Sequence, residues 1–223
     1  MTDILGIDVA WPQGRGLPWD KIAAEGVRFC WCKAGEGISG RDGTFTDHIQ
    51  GARRVGILAG AYWFARPSRE VGSADAQARA FHETVQLAGG VEMPPALDLE
   101  VNGGLTPREV VAWARRFVEV TEALFGRPCV VYTYPSFWQG QCGDLDDPFL
   151  AQRPLWIAHY TTMAAPMVPR PWRNRDGWTV WQYDGNGGRA LPGGVDADYN
   201  RFRGTEEDLQ ALLDRTALVC TPA

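Results

Sequence analysis

Short apolar runs alternate with amphipathic stretches along most of this chain, and that rhythm predicts its elements. The runs at 4–9, 27–33, 56–64, 95–99, 129–134, 155–159, 178–183 and 195–199 are β-rich and bounded by turn residues, which reads as eight strands. Between them, 18–24, 44–55, 74–87 and 106–125 carry helical periodicity or composition, and a short helix is expected near 136–139. An amphipathic helix over 205–217 closes the chain. Two helix starts are explicit. Thr106-Pro107-Arg108-Glu109 has a capping hydroxyl, a proline at the first helical position and a glutamate three residues after the cap, and Thr205 stands in the same relation to Asp208.

Strand-then-helix repetition predicts parallel strands joined by right-handed crossovers. Eight strands in 223 residues suit a closed barrel better than an open sheet. Helices drop out late in the chain, where 160–177 holds prolines at 166, 169 and 171, and 184–194 is rich in glycine. The expected fold is therefore α/β: a modified TIM-like barrel with five βα units and three further strands, (β/α)5(β)3. Residues 1–218 are expected to form a single barrel domain, with 219–223 a tail.

Composition removes several classes of function. A net charge of −5 without a basic stripe gives no reason to expect nucleic acid. The longest uncharged apolar run, 55–65, is too short to span a bilayer, and Met1 to Gly6 has neither a basic region nor a long apolar stretch. The expectation is no membrane partner and no signal peptide. Five cysteines form no C-x-x-C pair and no Cys/His cluster, so buried free thiols are expected, with no metal and no cofactor. Ten tryptophans offer flat apolar faces that stack on sugars, although core packing accounts for several equally well.

The candidate chemistry centres on Pro95-Ala96-Leu97-Asp98-Leu99-Glu100. In a strand, residues i and i+2 share a face, so Asp98 and Glu100 project together, about 7 Å apart along the backbone. Burying two acids side by side pushes their pKa values apart, which lets one stay protonated as an acid. Both acids being solvated at a strand end is the plain alternative. The barrel extends the argument, because catalytic groups on such folds sit at the C-terminal ends of strands. Asp8 ends the first strand, Asp98 and Glu100 the fourth, Asp196 and Asp198 the eighth. Tyr62, Phe64, Tyr132, Tyr134, Trp156, Tyr160, Trp181 and Gln182 fall at the same level and are the candidate substrate-binding residues, with Trp11, Trp63 and Tyr183 nearby. An acidic centre walled by aromatic rings suits hydrolysis of a glycosidic bond.

With these motifs in order, the chain resembles glycoside hydrolase family 25, the Chalaropsis-type lysozymes. The matching stretches are GIDVAWPQG at 6–14, KAGEG at 33–37, GILAGAYWFARP at 56–67, PALDLE at 95–100, VYTYPSFW at 131–138, LWIAHY at 155–160, VWQYDG at 180–185 and VDADYNRFRG at 195–204. The resemblance implies an N-acetylmuramidase that cuts the β-1,4 bond between N-acetylmuramic acid and N-acetylglucosamine. Glu100 then matches the general acid, Asp98 its partner and Asp8 the first-strand aspartate. The D-x-N-x-F pattern at 198–202 favours Asp198 for the last-strand aspartate, with Asp196 as the competitor. Ala10 and Gly35 stand where the family often has Ser and Thr. The implied partner is bacterial peptidoglycan, met by a monomer that is made in the cytoplasm and released through a holin-type pore, as a phage endolysin is, or by non-standard export.

Two acids on one strand face do not readily flank a scissile bond at the roughly 5–5.5 Å of a double-displacement pair. The favoured route is substrate-assisted, with the 2-acetamido oxygen attacking C1. A nucleophile or base from Asp8 or Asp198 across the rim is the other route. A non-catalytic glycan-binding barrel and a chitin-type hydrolase are the rival readings. Lys33 and Glu36 are expected to pair, His159 to be a satisfied hydrogen-bonding residue, and Trp172 and Trp178 to form either a subsite or a loop anchor.

Overall fold

A computed structural model describes residues 3–185, 189–192 and 194–215. The expected tail at 219–223, and the end of the helix expected to reach 217, lie outside the described residues. Eight strands close into a barrel: β1 (Ile4–Val9), β2 (Phe29–Glu36), β4 (Leu58–Phe64), β5 (Ala96–Asp98), β6 (Val130–Thr133), β7 (Leu155–Ala158), β8 (Val180–Asp184) and β11 (Asp198–Phe202). Helices α1 (Trp19–Ala24), α2 (Phe45–Arg54), α3 (Ser73–Leu87), α4 (Pro107–Phe125) and α5 (Pro135–Gln141) each follow one of the first five barrel strands. This is the (β/α)5(β)3 pattern. Only a single helical turn, α6 (Arg170–Arg173), interrupts the segment between β7 and β8, and α7 (Glu206–Leu213) ends the described fold.

Two features depart from the expected strands. Residues 195–199 are not one strand: Val195–Asp196 (β10) pairs with Ala190–Leu191 (β9) in a small separate hairpin. The barrel strand begins only at Asp198 and runs antiparallel to both β1 and β8, whereas the other seven strands are parallel to one another. Asp198 therefore starts its strand rather than ending it. Because β11 points the other way, its start lies on the same rim as the ends of the parallel strands, and Asp198 stands directly opposite Asp8 in the register.

Alternation along each strand sorts the side chains into two cores. Ile4, Phe29, Trp31, Ala96, Val130, Trp156, Val180 and Phe202 fill the barrel interior. Ile7, Cys30, Cys32, Leu97, Val131, Ile157, Trp181 and Tyr199 face outward beneath the helices. Trp31 and Trp156 stack at 4.7 Å between centroids and fill the middle of the cylinder. Four cysteines among the described residues are free and buried, as expected. The two predicted capping boxes form, Glu109 accepting from Thr106 N–H at 2.7 Å and Asp208 from Thr205 N–H at 2.8 Å.

The helical layer is pinned by one buried ion pair. Glu122 of α4 and Arg153, just before β7, meet through bonds of 2.6 and 3.0 Å. Glu122 also accepts from Cys129 N–H at 3.0 Å, and the Arg153 guanidinium lies 3.4 Å from the Phe149 ring centroid. Removing one member of such a pair strands the other charge away from water. Glu122→Ala is therefore expected to lower stability by about 3–5 kcal/mol in denaturant unfolding.

Candidate active site

The strand rim brings together the carboxylates that the sequence places at 8, 98, 100 and 198. Asp8 points inward from β1 because Ile4 and Gly6 share its face. Asp98 and Glu100 point inward because Ala96 does, and Leu97 and Leu99 pack outward. Asp98 and Glu100 lie side by side on this face, close enough for each to perturb the proton affinity of the other. Asp98 is almost fully buried and its Oδ1 has no hydrogen-bond partner among the described residues.

Gln182 and Asn200 organise the other pair. Gln182 Nε2 donates to Asp8 Oδ2 at 2.9 Å and to Asp198 Oδ2 at 3.3 Å. Gln182 Oε1 accepts from the hydroxyls of Tyr132 at 2.9 Å and Tyr160 at 2.8 Å. Asn200 Nδ2 donates to the same Asp8 oxygen at 2.7 Å, while its Oδ1 accepts from Trp156 Nε1 at 2.7 Å. An indole nitrogen only donates, so this contact fixes which way the Asn200 amide faces. Asn200 is absent from the sequence-derived site, although its place two residues after Asp198 already put it on the same strand face.

The electrostatics follow from burial. Burial and then the Asp198 carboxylate hold Asp8 well above the usual carboxylate range, against the pull of the Asn200 and Gln182 hydrogen bonds. Burial and then Glu100 push Asp98 up strongly. Glu100 is raised by burial and further by Asp198, and is opposed by the neighbouring Asp98 and by Lys33.

Two hollows open on this cluster. A cleft of about 530 Å³ is lined by Glu100, Tyr132, Tyr134, Gln139, His159 and Tyr160, among others. A smaller one, of about 340 Å³, is lined by Asp8, Pro12, Gln13, Tyr62, Asp196 and Asp198, among others. Asp198 and not Asp196 belongs to the hydrogen-bonded set; Asp196 is exposed on the β10 hairpin, its carbonyl accepting from Gln13 Nε2.

Several aromatic expectations need correction. Trp156 is only 2% exposed and sits in the barrel interior under Asn200, so it holds the site from below and offers no face to a ligand. Trp181 points outward, because Gln182 points in; its Nε1 donates to His159 O and it packs against Trp178 and Tyr183. Phe64 reaches the rim, but the Lys33 and Arg66 cations lie 5.1 and 4.5 Å from its ring centroid, and Glu36 ties both cations. Tyr62, Tyr134 and Tyr160 remain as cleft-lining rings. Trp172 is a loop anchor, buried and donating to Arg153 O at 3.1 Å. His159 Nδ1 accepts from Met167 N–H, which is the hydrogen-bonding role expected of it.

The two departures at 10 and 35 also find reasons. Gln13 Oε1 accepts from Ala10 N–H at 2.8 Å, so a side chain three residues on caps the turn where a serine hydroxyl is absent. A β-carbon at Gly35 would lie 2.1 Å from Gly40 O, because the strand Gly40–Arg41 (β3) folds back against β2 there. Among the described residues, no group of three or more His, Cys, Asp or Glu side chains is arranged to hold a metal ion.

Paired carboxyls and tyrosines at the mouth of a modified (β/α) barrel define a glycoside hydrolase. The sequence profile of "Glycosyl hydrolases family 25" matches residues 7–190, and the chain belongs to that family. It is 33% identical over 224 residues to Lysozyme M1 of Streptomyces globisporus, covering 97% of this chain and 73% of that protein. It is 31% identical over 166 residues to the N,O-diacetylmuramidase of Chalaropsis sp, covering 70% and 77%. Its fold is similar to the crystal structure of the bacterial lysozyme from Streptomyces coelicolor, with a TM-score of 0.82 at 32% identity over 97% of this chain and 100% of that one.

The raised proton affinity of Asp98 has a consequence for stability. Between the ordinary carboxylate pKa and its raised value, the folded chain binds a proton that the unfolded chain does not. This contribution to stability is therefore lost as pH rises through that window. Asp98→Asn removes the need to take up that proton on folding and is expected to unfold at a higher temperature than wild type at pH 7, by about 1 kcal/mol in stability. The difference should shrink towards pH 4, which paired thermal melts at the two pH values would show.

Proposed function

We propose that this cleft hydrolyses the β-1,4 bond after N-acetylmuramic acid in bacterial peptidoglycan, with Glu100 as the general acid. The observation that carries the roles is the placement of Asp98 and Glu100 side by side on one face at one strand end. Two neighbouring carboxyls on one side of the cleft do not stand on opposite faces of a sugar ring, so the pair supplies no acid-plus-nucleophile couple. The substrate's own 2-acetamido group is the nucleophile that fits.

The proton held by the pair passes to the leaving O4 through Glu100 as the C1–O4 bond breaks. The acetamido oxygen bonds to C1 from the opposite face and gives an oxazolinium ion. Asp98, now charged, faces the ring nitrogen and stabilises the positive charge that has formed there. Water then adds to C1, Glu100 takes its proton, and the C1–oxazoline oxygen bond opens to regenerate the acetamide. The anomeric configuration is retained. Asp198 keeps a negative field over Glu100, and neither it nor Asp8 touches a reacting atom.

Glu100 lines the larger hollow, which on this reading receives the leaving N-acetylglucosamine, and the smaller hollow beside Asp8 receives a sugar on the other side. All four carboxylates and the amides that hold them come from one chain, which supports a monomer as the working unit.

Glu100→Gln is expected to abolish clearing of bacterial cell walls, with a fall of about a thousandfold or more. Proton NMR of fresh digests should show the β-anomer first, and mass spectrometry a new reducing-end N-acetylmuramic acid. A first-formed α-anomer would overturn substrate assistance. A new reducing-end N-acetylglucosamine would overturn the bond assignment.

A further inference from the structure

Gln182 is expected from the sequence to bind substrate, yet its side chain has nothing left to offer one. It is 2% exposed, and its amide has two donor hydrogens and one oxygen with two lone pairs. Both hydrogens go to the carboxylates of Asp8 and Asp198, and both lone pairs take phenolic hydrogens from Tyr132 and Tyr160. Turning the amide over would put its oxygen against two carboxylates and its hydrogens against two hydroxyls that already need an acceptor. The orientation is thus determined by partners on four different segments of the barrel.

Two further contacts tighten the arrangement. A β-carbon at Gly185 would collide with Asp198 Oδ1 and lie 2.8 Å from the Tyr160 hydroxyl, so the chain after β8 presses directly on two of the four partners of Gln182. Asn200, locked by Trp156, supports the same Asp8 oxygen from below.

We propose that Gln182 is a positioning residue for the hydrolysis: its saturated amide clamps Asp8 and Asp198 side by side and keeps the Asp198 carboxylate facing Glu100. This rests on the assignment of Glu100 as the acid. The clamp works through hydrogen bonds and not through charge. A lysine or arginine in its place would draw the two aspartates together equally well, but would cancel the field that Asp198 exerts on Glu100. A neutral amide holds the pair without adding an opposing charge.

The groups facing this cluster are Asp8 from β1, Lys33 from β2, Tyr62 from β4, Asp98 from β5, Glu100 just beyond it, Tyr132 from β6, Tyr134 after β6, Tyr160 after β7, and Asp198 from β11. Removing the amide hydrogens leaves Asp8 less able to carry charge, so it holds its proton to higher pH, and it frees the Asp198 carboxylate to turn away from Glu100. The negative field on Glu100 weakens, and Glu100 loses its proton at lower pH. The sign is definite: the alkaline limb of the rate profile moves down.

The test compares wild type, Gln182→Met, Tyr160→Phe and Glu100→Gln. Each is titrated without substrate by carbon NMR of carboxyl-labelled aspartate, and each is assayed across pH on a soluble peptidoglycan oligomer. Gln182→Met, similar in length but without the amide, should raise the Asp8 carboxyl midpoint by about half a unit or more. It should lower kcat on the order of tenfold with KM little changed, and bring the alkaline limb of kcat down. Tyr160→Phe, which removes one surface hydroxyl and keeps the ring, should move the same three readouts less far, and it decides the matter if Gln182→Met does not fold. A rise in KM with kcat, midpoint and limb unmoved would make Gln182 a substrate contact. A lower kcat with an unmoved midpoint and limb would make it structural only. Either result overturns the proposal. Activity surviving in Glu100→Gln would instead remove the acid assignment, while the aspartate titration would still report on the clamp.

Discussion

The antiparallel insertion of β11 between β1 and β8 is the constraint on which the site depends. It closes the barrel, and its register sets Asp198 against Asp8, Asn200 against Gly6 and Phe202 against Ile4. The lower part of that ladder is apolar and the upper part acidic. Because side chains alternate, a slip of one residue would turn Asp198 and Asn200 out and bring Tyr199 and Arg201 in. Phe202 in the inner core, and Asn200 bonded to Trp156 above it, exclude that slip. The packing of the barrel floor thus decides which charges meet at its mouth.

Gathering carboxylates in a desolvated mouth is unfavourable, and how the fold offsets it determines what the mouth can do. Elsewhere this chain meets carboxylates with arginine, as in Glu122–Arg153 and Asp75–Arg116. At the rim, Asp8 is met by two primary amides, and Lys33 is tied to Glu36. Amide donors relieve the local cost of a carboxylate without cancelling its long-range field. A ring of cations would have made a more stable barrel and a poorer home for a protonated glutamate.

The sequence carried the local features of this fold plainly. Strand positions follow from apolar runs, helix starts from Thr106 and Thr205, and the shared face of Asp98 and Glu100 from the two-residue period. Strand direction is not local. Nothing in Asp198-Tyr199-Asn200-Arg201-Phe202 says which way the segment runs, and Asp198 was expected at a strand end when it stands at a strand start. The same two-residue period separates Trp181 from Gln182, since neighbours in a strand cannot both face the cleft. Trp156 shares the inward face of its strand but lies one layer too deep, and depth depends on how strands stagger around a barrel. Phe64 was lost as a stacking ring to cations at Lys33 and Arg66, the second of them beyond the strand's end. Gly35 is explained only by β3, a two-residue strand too short to leave a sequence pattern.

The different burial of Asp98 and Glu100 bears on the choice of route as much as their spacing along the chain does. Burial and the neighbouring Glu100 raise the proton affinity of Asp98, the deeper of the two, more strongly than that of Glu100 is raised. A proton delivered through Glu100 therefore leaves its negative charge on Asp98 at the moment when positive charge forms on the substrate. An acid facing a separate nucleophile has no such coupling, because each group would have to be set in its own protonation state beforehand. Here one proton held by the pair sets both states, and its departure creates the counter-charge. The fourfold-bonded amide of Gln182 fits the same logic one step further out, fixing two aspartates in place without adding a cation, so that the Asp198 carboxylate keeps facing Glu100.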